Sequence, residues 1–385
     1  MSYQRRIQIR FLRRRVNSMN NNRPITTIQV VAVVVSTIIG IGILSIPRYM
    51  AEAGDSGAPL VSASGIPVAF LGCWFTAAVC RKFPNETLFV FSRRLVGRSI
   101  ADIFNVLISL FFAFSAGITM RQFGEVCVAV VFKKTPIEAV ILLMLILAAL
   151  SIRRNIVKFT YVHIFYLPFI LLTVLSIILV AMKNVDALNL LPLTGNYITF
   201  SSFSKGTVTS AALYQGTFVI TLLVPLMKKP QQVLKAGAAA LFIIGFIYVM
   251  IVAATLGMFG AQETKLLAYP TLETARSISI GAGLLERFDA LFITVWVISI
   301  FTTIFTNYYL AAYSLQQVFR YKDHRLVSSF SLPLIFVFSL LPRNIYQVYT
   351  FSSVTAIIGL IFLTLYPLLL WLIALIRQKG GLSNE

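Results

Sequence analysis

Ten apolar segments, separated by short polar connections, leave this chain few folds to choose from. They lie near residues 27–50, 58–80, 101–131, 136–152, 159–182, 207–227, 236–258, 289–319, 329–342 and 347–376. A helix of about 20 apolar residues crosses a bilayer, and most of these segments meet that length. The ninth is shorter and carries Pro333 and Pro342. Of 385 residues, 58% are hydrophobic and only 12% charged, where a soluble domain carries about 25% charge. The chain is therefore expected to be an all-α integral membrane protein with about ten transmembrane helices and no soluble catalytic domain.

The net charge of +20 does not point to nucleic acid, because the basic residues sit in clusters between apolar segments. With the N-terminus inside, the cytoplasmic side collects 23 of the 33 basic residues. Seven are the arginines of residues 1–23; the others stand at 81–98, 153–158, 228–235, 320–325 and 377–379. The first external loop instead carries Glu52 and Asp55. This bias places both termini in the cytoplasm. Residues 1–26 then form a basic arm suited to anionic headgroups, 27–376 the membrane domain and 377–385 a cytoplasmic tail. The external connections 183–206 and 259–288 are the longest; Thr271 to Gly283 is expected to form a surface helix or lid. Cys73, Cys80 and Cys127 fall in or beside apolar segments, without metal or disulfide spacing. No phosphate loop, triad or carboxylate pair points to an enzyme, and no cofactor is implied.

The first segment contains Thr37-Ile-Ile-Gly40-Ile41-Gly42-Ile-Leu-Ser-Ile-Pro47. A glycine costs a helix interior about 1 kcal/mol relative to alanine, so Gly40-Ile41-Gly42 is expected to unwind and offer free amides to an anion. The competing reading is that the glycines admit a neighbouring helix. Five segments precede and five follow the midpoint, and an odd number per half inverts the second half. That is the arithmetic of an inverted repeat, 27–183 and 206–376. The sixth segment carries Tyr214-Gln215-Gly216 in its middle, and paired interruptions in matching helices point to a binding site.

The pattern Gly40-x-Gly42-Ile-Leu-x-x-Pro47 resembles the first helix of the amino acid-polyamine-organocation superfamily. Arg121-Gln-Phe-Gly-Glu125-Val, Lys134-Thr-Pro-Ile-Glu138, Leu191-Pro-Leu193, Pro225-Leu-Met-Lys-Lys-Pro230 and Glu286-Arg-Phe-Asp-Ala-Leu291 are, in this order, similar to the endospore germination permease family, the B subunits of spore germinant receptors. The resemblance covers about residues 27–376. It implies a LeuT-like five-plus-five fold with helices one and six broken. It also implies a place in the spore inner membrane, A and C subunits as partners, and a small germinant, commonly an amino acid, as ligand.

Candidate ligand contacts are Thr37, Gly40, Ile41 and Gly42 on helix one and Tyr214, Gln215 and Gly216 on helix six. Phe114 or Ser115 on helix three, and Trp296 or Ser299 on helix eight, follow by depth, with ordinary packing as the alternative. Arg121 and Glu125 stand four apart and can pair, as a gate or a structural ion pair. Lys158 near the start of helix five is the candidate coupling residue, on the helix where a lysine replaces a coupling sodium in some relatives of the superfamily, with an interfacial lysine four residues from Arg154 as the alternative. Thr302 and Thr303 are candidates for a cation site. Asp289 suits a helix start; His163 reads as a packing residue; His324 stands in a cytoplasmic loop. Glu286 and Arg287 suit the membrane interface or a partner. Three functions remain in competition: a germinant-sensing receptor subunit, a proton-coupled amino acid transporter, and a water or ion conduit opened by the ligand. The ligand reads as a neutral amino acid, with a sugar or nucleoside as the alternatives.

Overall fold

The computed structural model describes residues 24–195, 199–278, 288–321 and 324–379, and leaves aside the side chains of Ile41, Phe288, His324, Gln378 and Lys379. Residues 1–23 of the basic arm, Glu286 and Arg287 lie outside the described residues. Each of the ten apolar segments becomes a helical span, in chain order α1 (Thr27–Gly54), α2 (Ala58–Lys82), a short α3 (Leu88–Val96), α4 (Arg98–Val130), α5 (Ile137–Ile152) and α6 (Ile156–Ala181). The second half holds α7 (Phe200–Ala212), α8 (Ile220–Leu223), α9 (Val233–Leu266), α10 (Pro270–Ser277), α11 (Phe288–Phe319), α12 (His324–Leu340) and α13 (Ile345–Lys379). Span six is α7 and α8 with 3-10 turns between and after them. Seven helical runs are long and apolar enough to cross a membrane, by length and composition.

Helix α1 starts at a capping box. The Thr26 hydroxyl accepts from the Gln29 amide, and the Gln29 side chain accepts from the Thr26 amide at 2.8 Å. The helix is apolar nearly all round, which suits a buried helix rather than an amphipathic one. Accordingly Val33, Val34, Val35, Ile39 and Ile46 are fully buried. It packs against α9, α11, α6, α2 and α7. At the periphery, α5 turns Leu143, Leu147 and Leu150 outward, and α13 turns out Ile358, Ile361 and Leu365. These are lipid-facing stripes. The N-terminal end of α1 and the C-terminal end of span six meet: the Ile25 amide donates to the Leu226 carbonyl at 3.0 Å and the Lys228 amide to the Ile25 carbonyl at 2.7 Å. At the opposite end Lys265 pairs with Asp55 at 2.7 Å.

Two expectations need correction. Helix one is not broken: it runs as one helix from Thr27 to Gly54. Its glycines serve the competing role, close approach. A Cβ at Gly40 would overlap the Thr303 hydroxyl and the Ser299 carbonyl, and one at Gly42 the Tyr248 hydroxyl. The segment around Thr271 is a helix, but not a surface one. In α10, Thr271, Leu272, Thr274 and Ala275 are buried, and the Thr271 hydroxyl donates to the Ile43 carbonyl at 2.6 Å. Residues 279–283 of that expectation lie outside the described set. Helix six is interrupted as the sequence suggests.

Spans two and six touch at Gly65, where a Cβ would meet the Ser210 side chain and the Ala211 amide. Overpacking of this kind costs about 1–3 kcal/mol. Gly65→Val is expected to lower the thermal unfolding midpoint in detergent by that equivalent, and an unchanged midpoint would contradict this packing.

Candidate ligand-binding site

The interruption of helix six is local chain geometry. After Ala212 the amides of Leu213 and Tyr214 donate three residues back, to Ser210 and Ala211, both at 3.1 Å. Tyr214 then leaves the helical region at φ −92° and ψ 7°, and Gln215–Val219 continues as a 3-10 turn. Gly216 lies against Thr37 and Ile38 of α1 with no room for a Cβ. The tightened turn thus brings Gln215 beside helix one.

Beside this contact lies a cavity with about 80 Å³ open to the centres of water molecules. Helix one contributes Thr37, Ile38, Gly42, Ser45 and Tyr49; the last four follow the 4-3-4 spacing of one helical face. Helix α4 adds Ser115, Ile118 and Thr119, span six Thr209, Leu213, Gln215 and Gly216, α11 Thr303 and Asn307, and α13 Ser352, Ser353, Thr355 and Ala356. No lining residue is charged.

The structure brings together Thr37, Gly42, Gln215, Gly216, Ser115 and Thr303 at this cavity. The other candidates stand elsewhere. Gly40 faces α11, and the Gly40 carbonyl accepts from Trp296 Nε1 at 2.9 Å. Trp296 is therefore occupied with helix one, against Phe123. Ser299 lies with Trp296 in a small apolar crevice on that side of α1. Tyr214 is buried against Tyr248 at 5.6 Å between ring centroids. Phe114 packs on Phe338 and Phe351, so the cavity side of α4 is Ser115. The backbone of Ile41 belongs to α1. In a continuous helix its amide, like those of Gly40 and Gly42, is directed along the helix axis. The expected carboxylate receptor is therefore not formed.

Helix-one carbonyls are held instead by side chains of other elements. Ser36 accepts from Thr302 at 2.8 Å, Thr37 from Thr303 at 2.7 Å and Ile38 from Tyr248 at 2.9 Å. With the bonds to Gly40 and Ile43 already described, five carbonyls are tied in this way. Thr302 and Thr303 are thus bonded to helix one.

Lys158 is exposed in the first turn of α6, where its backbone amide bonds the Asn155 cap. One residue facing the centre from the same helix is His163. It is fully buried, with Nδ1 2.6 Å from the Ser36 hydroxyl and Nε2 3.2 Å from the Thr306 hydroxyl. Thr306 in turn lies 2.9 Å from the Thr37 hydroxyl at the cavity wall. A hydrogen-bonded chain therefore runs from the cavity through α11 to α6. Arg121 and Glu125 pair at 2.8 Å, with Arg121 mostly buried. The adjacent Gln122 donates to Ser45 of the cavity at 3.1 Å. Asp289 stands in the first turn of α11.

Sequence reasoning missed Ser45, Tyr49, Thr119, Thr209, Asn307, Ser352, Ser353 and Thr355. Their signal was a polar face at helical spacing within apolar spans, as in Thr303 and Asn307, since polar groups inside spans face protein or water.

Ser36 and Thr306 also donate to the Ala32 and Thr302 carbonyls at 2.8 and 3.0 Å, so removing the His163 imidazole takes one of several partners from each hydroxyl, which costs about 0.5–1.5 kcal/mol. His163→Leu is expected to lower stability by that amount, and His163→Gln by less. Equal unfolding midpoints for the three proteins in detergent would refute the relay's part in the fold.

A structure of Mhp1, a nucleobase-cation-symport-1 family transporter in a closed conformation with bromovinylhydantoin bound, superposes with a TM-score of 0.67 at 14% identity. The match covers 94% of this chain and 82% of that one. The fold is thus the LeuT-like five-plus-five arrangement, with its second-half interruption present and helix one intact. Spore germination protein YndE of Bacillus subtilis (strain 168) is 24% identical over 357 residues, 92% of this chain and 98% of that protein. Spore germination protein GerLB of Bacillus cereus is 26% identical over 354 residues, 91% of this chain and 94% of the relative. The family model described as spore germination protein matches residues 24–348, and the chain belongs to this spore germination permease family.

Proposed function

We propose that this protein is the germinant-sensing membrane subunit of a spore germination receptor. The observation that carries this reading is the polar cavity beside the helix-six interruption, in a chain of the spore germination permease family. A small nutrient held there touches helices one, three, six, eight and ten together. Binding that favours one arrangement of these helices shifts the population toward it. The chain Thr37–Thr306–His163 extends the contact to helix five. The A and C receptor subunits are the partners that read this shift. The protein sits in the spore inner membrane with both termini facing the core.

Gln215→Leu and Ser115→Leu remove polar contacts from the cavity wall. Spores carrying either variant are expected to keep the protein in the membrane and to need more than tenfold higher nutrient for germination. A full response from both variants, with protein present, would remove this reading.

The fold shared with a transporter supports a second reading, proton-driven solute uptake. Reconstituted vesicles that accumulate solute under a proton gradient would favour it. Since Lys158 is exposed at the helix start, Lys158→Ala is expected to leave both germination and any uptake unchanged. A loss of uptake in that variant would restore Lys158 as the coupling residue.

A further inference from the structure

On the lipid-facing side of the bundle, α4 and α13 enclose a groove that shares no lining residue with the central cavity. Its floor is three parallel rings. Phe104 of α4 stacks on Tyr366 of α13 with centroids 4.3 Å apart and planes 7° apart, and on Phe362 at 5.9 Å and 9°. Phe362 and Tyr366 are themselves within 12° of parallel. Rings stacked in this way hold one another in place, so the floor is flat and preformed. Ile361 and Leu365 stand on the rim, 53% and 55% exposed. The groove has a volume of about 380 Å³ and runs along α13 from Ile358 to Leu369. That stretch is about 16 Å of helix. It is about half of a hydrocarbon core of about 30 Å, the depth of one leaflet.

The end of the groove toward the C-terminus of α13 is positively charged. Arg377 stands eleven residues after Tyr366, three turns on and so on the same face of α13. Its guanidinium donates to the Arg94 carbonyl at 2.6 Å, which ties α13 to the corner where α3 ends and α4 begins. Arg98 is the first residue of α4, about 9 Å of helix before Phe104. The side chains of Arg94 and Arg98 are each 65% exposed. Asp102 pairs with Arg93 at 2.6 Å and lies 3.7 Å from Arg98, and Glu86 pairs with Arg94 at 2.5 Å. Arg93, Arg94, Arg98 and Arg377 thus meet two carboxylates, and four positive charges against two negative leave two. Topology alone asks for basic residues at the end of a span. Here they also close an apolar groove one leaflet deep. An apolar helix of a partner matches the groove alone, and a free phosphate matches the arginines alone. An amphiphile with an anionic head and an acyl tail matches both, as basic pockets between membrane helices do for acidic headgroups.

We propose that this groove binds an anionic phospholipid of the leaflet on the side of the α13 C-terminus. Its acyl chain lies on the Phe104–Phe362–Tyr366 floor and its phosphate at Arg98 and Arg377. The test is native mass spectrometry of the full chain in detergent with dioleoyl phosphatidylglycerol or dioleoyl phosphatidylcholine. The two lipids share their chains and differ in net charge. One surface arginine is worth about fivefold toward an anionic lipid, so two uncompensated charges predict about 25-fold tighter binding of phosphatidylglycerol. Arg98→Gln and Arg377→Gln are each expected to weaken it by about fivefold and to leave phosphatidylcholine unchanged, while Arg98→Lys keeps the binding. Leu365→Trp, at an exposed rim position, fills the groove and is expected to abolish retention of phosphatidylglycerol with every arginine in place. Unfolding midpoints equal to that of the unchanged chain, without added lipid, show that the variants are folded. Glycerol 3-phosphate, a head without chains, is expected not to displace the lipid. Equal retention of the two lipids would overturn the proposal. So would unchanged retention in Leu365→Trp, which would reduce the arginines to a charged surface and leave the groove to a partner's helix. Displacement by an equal concentration of glycerol 3-phosphate would make this an anion site and overturn it as well.

Discussion

Everything in this structure is arranged on one buried helix whose own backbone is bonded from outside. Helix one is apolar nearly all round, so hydrophobicity alone gives it little preference for which face to turn inward. Its position comes from side chains that reach its carbonyls: Thr302, Thr303 and Trp296 from α11, Tyr248 from α9 and Thr271 from α10. Glycines 40 and 42 make room for these groups. In a low-dielectric interior an unpaired donor is costly, so each such bond also fixes the helix that supplies it. The glycine pair is a docking surface for hydroxyls and an indole, and it does not interrupt the helix.

The two halves of the fold therefore differ where the repeat suggests symmetry. Span six carries the irregular turn, and that turn presses Gly216 against Thr37 and Ile38 while placing Gln215 at the cavity. Helix one supplies a continuous helical face to the same space. Thr37 occupies the junction. It lines the cavity and also reaches the buried His163 through Thr306. A change at the cavity is thereby mechanically continuous with helices five and eight, without any charged residue in the path.

Charge is kept at the ends of the bundle. Asp55 with Lys265, Arg48 with Glu52, and Arg93 with Asp102 pair close to helix termini. Arg121 with Glu125, which stands five residues before the last residue of α4, is likewise internally satisfied. The centre is left to hydroxyls and amides, which hydrogen-bond without the desolvation penalty of ions. This division explains why the site is polar but uncharged.

Hydrophobic length was enough for most of the ten helices, because lipid requires each crossing to satisfy its backbone internally. The irregular span six was legible from Gln215-Gly216, since glycine and a polar neighbour weaken a helix at that point. The family resemblance was legible from the order of short motifs. Which side chains share the cavity was not. Thr119, Thr303, Asn307 and Thr355 come from three separate helices, and a linear sequence carries no rotation or depth for a helix that is apolar nearly all round. Gly40-Ile41-Gly42 was ambiguous for the same reason. Glycine permits either an unwound turn or a close contact, and only the hydroxyls of Tyr248 and Thr303, brought in from distant spans, decided for contact. His163 read as a satisfied packing residue and is one, whereas Lys158 stayed open between coupling and the interface, because sequence gives position along a helix but not direction. Tertiary packing turned His163 inward between two hydroxyls and left Lys158 exposed at the helix start.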